Sequence, residues 1–267
     1  MTAHEIYYFS GTGNSLAAAK GLAKKTGAKC IHIAALPKTG RIKPKADMIG
    51  FVFPLYDFKA PDMMEDTVIR MDGLKGKYVY TVCTYGIAPR KSLERFAKAV
   101  SRAGGSVSAS FAVQMPHNGI GSGAVRQSEK LAMFDAWKST ADEVSQIVKD
   151  KRCAPMKDIH TRGRLLRNAR MMPSLMRFLG RWMARGIDSL ALCAGDDCVG
   201  CGTCAAVCPA ANITLKEKRP VWSDHCAGCF ACLHWCPHNA ISPGDFDANI
   251  RPYHHPGVSL SEIKVRK

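Results

Sequence analysis

The chain has 267 residues, of which 46% are hydrophobic and 22% are charged, a composition typical of a folded protein with two domains and not of a disordered chain. It has no apolar run long enough to span a membrane, and its first residues lack the pattern of a secretion signal, so we expect a cytoplasmic protein. The formal net charge of +16 favours a negatively charged partner, either an acidic protein, a nucleic acid or an anionic membrane.

The first strong pattern is a short apolar strand, then a loop of small residues, then a helix. Residues 5–9 predict the strand and residues 14–25 the helix. The loop between them consists of Ser10, Gly11, Thr12, Gly13, Asn14 and Ser15. Unpaired N–H groups at the helix start and the loop hydroxyls together favour a terminal phosphate; the alternative is a tight turn with a helix cap. The loop is not a dinucleotide fingerprint, because Leu16 replaces the third glycine, and it lacks the P-loop lysine.

Four further apolar runs predict the remaining strands of a parallel sheet that is covered on both faces. They are residues 29–34, 48–53, 78–83 and 110–115, with a clear helix at residues 90–102. We therefore predict an α/β domain over residues 1–152 with a five-stranded, doubly wound parallel sheet. In this strand order, ligands bind beyond the carboxyl ends of the first and third strands, which here are residues 10–15 and 54–61.

The loop from Ser10 to Ser15 after the first strand resembles the FMN-phosphate loop of flavodoxins. This resemblance implies an FMN site in which the loops after the third and fourth strands surround the flavin ring. The implied ring-binding residues are Pro54, Leu55, Tyr56, Thr84, Tyr85 and Gly86. Tyr56 and Tyr85 are the candidates to stack on the flavin, with Phe58 as the substitute, and ordinary packing under a loop is the alternative for each. Lys59 near the ring would raise the flavin potential.

Two runs of four cysteines form an internal repeat near the C-terminus, and a proline follows each run. The first run is Cys198, Cys201, Cys204 and Cys208, and the second is Cys226, Cys229, Cys232 and Cys236. In the bacterial two-cluster pattern the fourth cysteine of each run ligates the other cluster. The expected sets are therefore Cys198, Cys201 and Cys204 with Cys236, and Cys226, Cys229 and Cys232 with Cys208. Zinc is the alternative for paired cysteines, but two complete runs closed by proline favour two 4Fe-4S clusters.

Residues 196–244 closely resemble the bacterial two-cluster ferredoxins, which implies a small α+β domain over residues 191–247. A short hairpin is predicted from residues 213–215 and 220–222, and residues 248–267 are expected to be a basic tail. The side chains expected to shield the clusters from water are Trp222, Phe230 and Trp235. The four remaining cysteines are assigned no chemistry; they are Cys30, Cys83, Cys153 and Cys193.

Residues 153–190 are predicted to form a basic, amphipathic, helical linker. Within residues 157–188 leucines and methionines fall along one helical stripe and arginines along the opposite one, with Pro173 dividing the segment. One interpretation is that the apolar stripe packs at the domain junction. The other is that the segment binds an acidic redox partner or makes peripheral contact with a membrane. No nucleic-acid partner is expected, because no reading motif is present.

The order of these segments resembles the flavodoxin–ferredoxin fusion proteins of anaerobes. The resemblance implies a protein that passes electrons between FMN, two 4Fe-4S clusters and an external redox partner, because flavin exchanges one or two electrons and each cubane passes one. One alternative is a ferredoxin whose flavodoxin-like domain is a flavin-free docking module. The other is a small flavin-dependent reductase, in which residues 115–118 lie beside the site and His117 donates a proton; a loop-capping role is the commoner alternative for this histidine. We favour an electron carrier without catalytic residues.

Overall fold

The computed structural model describes residues 3–89, 91–119, 125–159, 192–244 and 252–265. Within these ranges, the N-terminal part of the chain contributes six strands to a single parallel sheet in the order β2-β1-β3-β4-β5-β6. The strands are β1 His4–Tyr8, β2 Lys29–His32, β3 Met48–Pro54, β4 Tyr78–Tyr85, β5 Val107–Gln114 and β6 Ala154–Ile159. The order of the first five strands is the flavodoxin-like order, in which the switch point lies between β1 and β3.

The sheet has one more strand than the five predicted from the sequence. The sixth, β6, pairs parallel with β5 across an irregular register and falls within the segment predicted to be a helical linker. Pro155 and the charged residues of this segment conceal the strand pattern, and an edge strand tolerates a proline because one side of it forms no ladder. The remainder of the predicted linker, residues 160–190, lies outside the described residues.

Four helices pack against the sheet among the described residues, and α1 and α3 match the helices predicted at residues 14–25 and 90–102. They are α1 Asn14–Thr26, α2 Asp62–Ile69, α3 Ser92–Arg102 and α4 Gln127–Lys149. Helix α1 contacts α4, and α2 contacts α3. The central strands β3 and β4 are buried along almost their whole length, which explains why they appear in the sequence as continuous apolar runs and not as alternating ones.

The cysteine-rich region is built from two short antiparallel strand pairs and two one-turn helices. Its elements are β7 Cys193–Ala194, α5 Thr203–Ala206, β8 Ile213–Lys216, β9 Arg219–Trp222, α6 Ala231–His234 and β10 Ile241–Ser242. Strands β8 and β9 form the predicted hairpin, and β7 pairs with β10. Each one-turn helix carries the third cysteine of a run, so the two helices position corresponding ligands.

The C-terminal residues, expected to be a basic tail, pack against the rest of the protein. Residues 252–265 end in the short helix α7 Leu260–Ile263, and Tyr253, Val258 and Ile263 are buried. Val258 and Ile263 join the core of the N-terminal domain. Among the described residues, no helix is long and apolar enough to cross a membrane.

Candidate functional site

The loop between β1 and α1 is anchored to the end of β4 and to the segment that follows β5. Gly13 caps α1 with a left-handed φ of 93°, which favours glycine because it lacks a Cβ. The Ser15 hydroxyl lies 2.8 Å from the Thr84 hydroxyl at the end of β4. Asn14 donates a hydrogen bond of 2.8 Å to the carbonyl of Pro116, which follows β5. The loop is therefore held open at the N-terminus of a 13-residue helix, where an anion is favoured.

This loop borders a cavity of about 710 Å³, within the roughly 300–1,000 Å³ range of small-molecule sites. The cavity also meets the loops after β3, β4 and β5. Of the residues predicted to bind FMN, all except Gly13 line it: Ser10, Gly11, Thr12, Asn14, Ser15, Pro54, Leu55, Tyr56, Thr84, Tyr85 and Gly86. The opposite wall comes from the cysteine-rich region and includes Trp222, Cys226, Ala227, Gly228 and Phe230. The site is thus formed by both parts of the chain.

Unpaired polar atoms around the cavity indicate a polar ligand. Among the described residues, five buried side-chain atoms lack a hydrogen-bond partner, and three belong to cavity-lining residues: Tyr56 Oη, His117 Nδ1 and Trp222 Nε1. Tyr56 Oη lies beside Gly11 and Trp222 Nε1 beside Cys232, but neither contact has hydrogen-bond geometry. Each unsatisfied group costs about 1–3 kcal/mol. A flavin, which carries ring nitrogens and carbonyl oxygens, would satisfy such groups, so the residues present fit FMN.

The three aromatic residues considered for stacking on the flavin differ in how accessible their side chains are. The ring of Tyr56 meets Phe9 edge-on, with centroids 6.1 Å apart, and Tyr85 is only 5% exposed. Phe58 is 39% exposed, lines the cavity and has a left-handed φ of 57° in a tight turn. Such backbone strain in a residue other than glycine is concentrated at ligand sites. Phe58, the predicted substitute, is therefore the most accessible of the three aromatic side chains.

Lys59, expected to affect the flavin ring, is paired. Its ammonium group lies 2.8 Å from a carboxylate oxygen of Asp62, and both residues line the cavity. The carboxylate offsets much of the positive charge. The increase in flavin potential expected from Lys59 alone is therefore reduced.

The eight cysteines of the two runs are brought together in the crossed sets that the sequence predicted. One cavity is lined by Cys198, Cys201, Cys204 and Cys236, which we call the distal site. Burial is the main cause that raises the pKa of Cys229 and that of Cys232, the latter to about 12, and the neighbouring thiols of Cys208 and Cys226 contribute to both shifts. These four cysteines form the proximal site. In both sites the fourth ligand comes from the other run.

Backbone donors surround both sites. N–H groups donate to sulfur at 3.3 Å from Asn212 to Cys208, at 3.4 Å from Gly228 to Cys226 and at 3.4 Å from Ala240 to Cys236. Such bonds stabilise thiolate ligands and tune cluster potentials. Among the described residues, no group of three or more His, Cys, Asp or Glu side chains is arranged to hold a metal ion. A cubane holds its four thiolates around a larger centre, and four cysteines around one cavity fit that requirement.

The proximal site adjoins the phosphate loop. The Trp235 indole donates a hydrogen bond of 2.9 Å to the Gly11 carbonyl, and Asn118 donates one of 3.3 Å to the Cys229 carbonyl. Gly11 must be a glycine, because a Cβ there would lie 2.7 Å from both the Cys229 carbonyl and the Tyr56 hydroxyl. Trp235, predicted only to shield the clusters, thus joins a cluster-binding segment directly to the loop.

Some contacts of this site were not predicted by the sequence analysis. Asn118 and His234 link the two parts of the chain, since a His234 ring nitrogen lies 3.0 Å from the Asn118 carbonyl. Tyr253 donates a hydrogen bond of 2.6 Å to the Asn14 side chain. His234 lies within the second cysteine run and Asn118 within residues 115–118, but no sequence signal indicated the contacts that these side chains make. Their positions depend on how distant segments pack together.

Comparison with known proteins adds a family match for one of the two parts. Residues 197–246 match the family described as 4Fe-4S dicluster domain. A search of curated proteins found no match.

Several solved structures resemble part of the chain at low similarity. An FMN-dependent NADH-azoreductase from Bacillus anthracis has 11% identity and a TM-score of 0.40, covering 55% of this chain and 100% of that one. A flavodoxin from Streptococcus pneumonia TIGR4 has 15% identity and a TM-score of 0.37, covering 55% and 99%. A flavodoxin from the domain Archaea gives the same identity and TM-score, again covering 55% and 99%.

The strand order of the sheet and the dicluster match describe different parts of the same chain. The first is the doubly wound flavodoxin-like order, and the second is a 4Fe-4S domain. Both kinds of domain are associated with electron transfer. The chain therefore joins a doubly wound, flavodoxin-like α/β sheet to a segment that matches a 4Fe-4S dicluster domain.

Proposed function

We propose that the chain binds FMN in the cavity between its two domains, binds one 4Fe-4S cluster at each cysteine site, and passes electrons between these cofactors and an external redox partner. The observation that carries the proposal is that a segment of the proximal site, from Cys226 to Gly228, lines the same cavity as the phosphate loop. No separate docking event is then needed to bring the flavin and the proximal cluster together.

The residues available to hold FMN have distinct roles. The N-terminus of α1 and the hydroxyls of Ser10, Thr12 and Ser15 provide the phosphate cradle. Phe58 offers an aromatic face at the other end, and Tyr56 and His117 offer unpaired polar atoms between them. When bound, FMN supplies two-electron chemistry that the clusters convert to single-electron steps.

The route from the cavity to the surface follows the two cysteine sites. At the proximal site, Cys229 and Cys232 are 6% and 7% exposed, respectively, and the exposed Cys226 lines the cavity. At the distal site Cys201 is exposed, and neighbouring Val199 is 60% exposed. Electron transfer weakens steeply with distance, so the distal site is the proposed point of exchange with the partner.

The proposed partner is a redox protein with an acidic docking surface, which the formal charge of +16 supports. Peripheral contact with an anionic membrane through the basic segment 157–188 is a further proposal, although residues 160–188 lie outside the described part of the chain. No nucleic-acid partner is proposed. We propose a cytoplasmic location.

A second candidate function is the reduction of a small molecule in the same cavity. It is favoured by His117, whose Nδ1 atom is unpaired and whose pKa is lowered by burial, so that the ring is neutral at pH 7 and able to exchange a proton with a ligand. A His117→Gln variant that loses turnover with a small oxidant but keeps electron exchange between flavin and cluster would favour this function.

The third possibility, a flavin-free docking module, leaves the unpaired atoms around the cavity unexplained.

The first test is to purify the full chain without oxygen and to measure iron, sulfide and flavin. We expect about eight irons and one FMN per chain. Rapid reduction of the flavin, followed by stopped-flow absorbance, should then show electron exchange with the clusters at a rate independent of protein concentration. A purified protein that contains iron but no flavin, even after FMN is added, would contradict the proposed flavin site. Exchange that depends on protein concentration would contradict an intramolecular route.

A further inference from the structure

Residues 252–265, which we call the C-terminal clasp, contact the phosphate loop from outside the cavity. The backbone N–H of His255 donates a hydrogen bond of 2.8 Å to the Thr12 carbonyl. A Cβ placed on Gly13 would lie 3.1 Å from Val258 and 3.2 Å from His255, so the clasp rests directly on the start of α1. Glu262 forms an ion pair with Lys20 on the same helix.

The same segment also holds the ferredoxin domain. The backbone N–H of Tyr253 donates to His234 Nδ1 at 3.1 Å, and the His254 ring stacks on Trp235 with centroids 4.2 Å apart. At the far end, the Val265 N–H donates to the Ala206 carbonyl at 3.0 Å. The clasp therefore forms hydrogen bonds to the phosphate loop and to both one-turn helices, α5 and α6.

Asn14 is the residue through which the clasp acts on the loop. Its side chain is buried and bonds in two directions: Nδ2 donates to the Pro116 carbonyl at 2.8 Å, and Oδ1 accepts from the Tyr253 hydroxyl at 2.6 Å. Asn14 is also the first residue of α1. Loss of the Tyr253 donor would leave a buried oxygen unsatisfied and release one of the two constraints on this helix start.

We propose that the C-terminal clasp holds the phosphate loop in its ligand-binding conformation and couples occupancy of the FMN site to the docking of the ferredoxin domain, with Tyr253 as the positioning residue. The inference rests on the proposed FMN site. Coupling of this kind is reciprocal: if the clasp tightens FMN binding, FMN must stabilise the clasp by the same factor.

The first test compares two variants of the cluster-loaded, full-length protein after removal of FMN. Tyr253→Phe keeps the ring but deletes the hydroxyl, and we expect the FMN dissociation constant, measured by flavin fluorescence, to rise about tenfold. Tyr78→Phe is the matched control, because it deletes a hydroxyl that donates at 2.8 Å to the Arg152 carbonyl, away from the loop. Its dissociation constant should not change. Equal iron content and circular dichroism would show that both variants fold.

The second test is amide hydrogen exchange, which detects the coupling without using electron transfer. FMN should slow exchange of the His255 and Val265 amides in the wild-type protein, and the effect should be smaller in Tyr253→Phe. Wild-type protein could bind FMN without any change in amide exchange over residues 253–265, and Tyr253→Phe could bind FMN equally well. Those two results together would contradict the clasp proposal and leave the proposed function standing. If wild-type protein binds no FMN, the proposed function fails and the clasp proposal falls with it.

Discussion

The two cysteine runs have the same spacing, but their second cysteines lie in very different surroundings. In the run that begins at Cys198, Val199 is 60% exposed and Cys201 is exposed. In the run that begins at Cys226, the corresponding Cys229 is 6% exposed because it packs against the core of the flavodoxin-like domain. The third cysteines, Cys204 and Cys232, are both buried within the cysteine-rich region itself. The repeat therefore sets how thiolates are presented, whereas the packing around it distinguishes an interior site from a surface site.

A second difference lies at the residue before each one-turn helix. The backbone is left-handed at both positions, with φ of 74° at Gly202 and 53° at Phe230. Glycine adopts this conformation without strain, but phenylalanine is penalised by about 1–2 kcal/mol. Phe230 lines the flavin cavity, so the proximal run accepts strain where an aromatic side chain contributes to the ligand site. In the distal run the same position is Gly202, which does not line that cavity.

The difference in burial predicts different redox behaviour. Reduction adds negative charge to a cluster, and a buried, desolvated site disfavours added charge. We therefore expect the proximal cluster to have the lower potential. In the sequence alone the two runs give no reason to rank them.

The largest expected effect comes from single cysteine substitutions that each remove one cluster. Cys229→Ala and Cys201→Ala should each lower the iron content from about eight to about four per chain. Only Cys229→Ala should abolish electron exchange between flavin and cluster, because its site adjoins the cavity. Iron analysis and stopped-flow absorbance measure these outcomes. If both variants exchange electrons with flavin equally well, the assignment of proximal and distal sites is wrong.

Chelator access provides the next comparison. In the Cys229→Ala variant only the distal cluster remains, and an anaerobic iron chelator should strip it rapidly because Cys201 is exposed. In Cys201→Ala the remaining proximal cluster should release iron several times more slowly, since the flavodoxin-like domain covers it. Release is followed by the absorbance of the iron–chelator complex. Equal release rates would show that the domain contact does not protect the proximal site.

Gly11→Ala should disrupt the contact between the domains. The added Cβ would lie 2.7 Å from the Cys229 carbonyl, and overpacking of this kind costs about 1–3 kcal/mol. Gly21→Ala is the control, because its Cβ would meet only Trp137 at an ordinary 3.6 Å, and alanine in a helix interior gains about 0.5–1 kcal/mol. The midpoint temperature of thermal unfolding should therefore fall in Gly11→Ala and rise in Gly21→Ala. A matching decrease in both variants would contradict the tight contact at Gly11.

The smallest expected effect is that of Trp235→Phe. This change keeps an aromatic ring but deletes the N–H that donates to the Gly11 carbonyl. The loss should lower the free energy of unfolding by about 1 kcal/mol and slow electron exchange between flavin and the proximal cluster, while iron content stays the same. Exchange at the wild-type rate would mean that this bond does not help to position the domains.

Some features of this protein were predictable because they are local. The strand, loop and helix from β1 to α1 follow from apolar periodicity and small residues within twenty positions. The crossed cysteine sets were expected from the resemblance of both runs to the bacterial two-cluster pattern. The edge strand β6 was missed because Pro155 and its charged neighbours do not resemble a strand, and only pairing with β5 stabilises it there.

By itself the sequence determined the doubly wound sheet, the phosphate loop and the two cysteine motifs, since each is specified by residues close together in the chain. Only the tertiary structure decided that the proximal site borders the flavin cavity and that Tyr253 bonds to Asn14 across 239 positions. Contacts between distant segments depend on shape and burial over the whole interface, and a side chain such as Trp235 has the same local sequence whether it faces water or the phosphate loop.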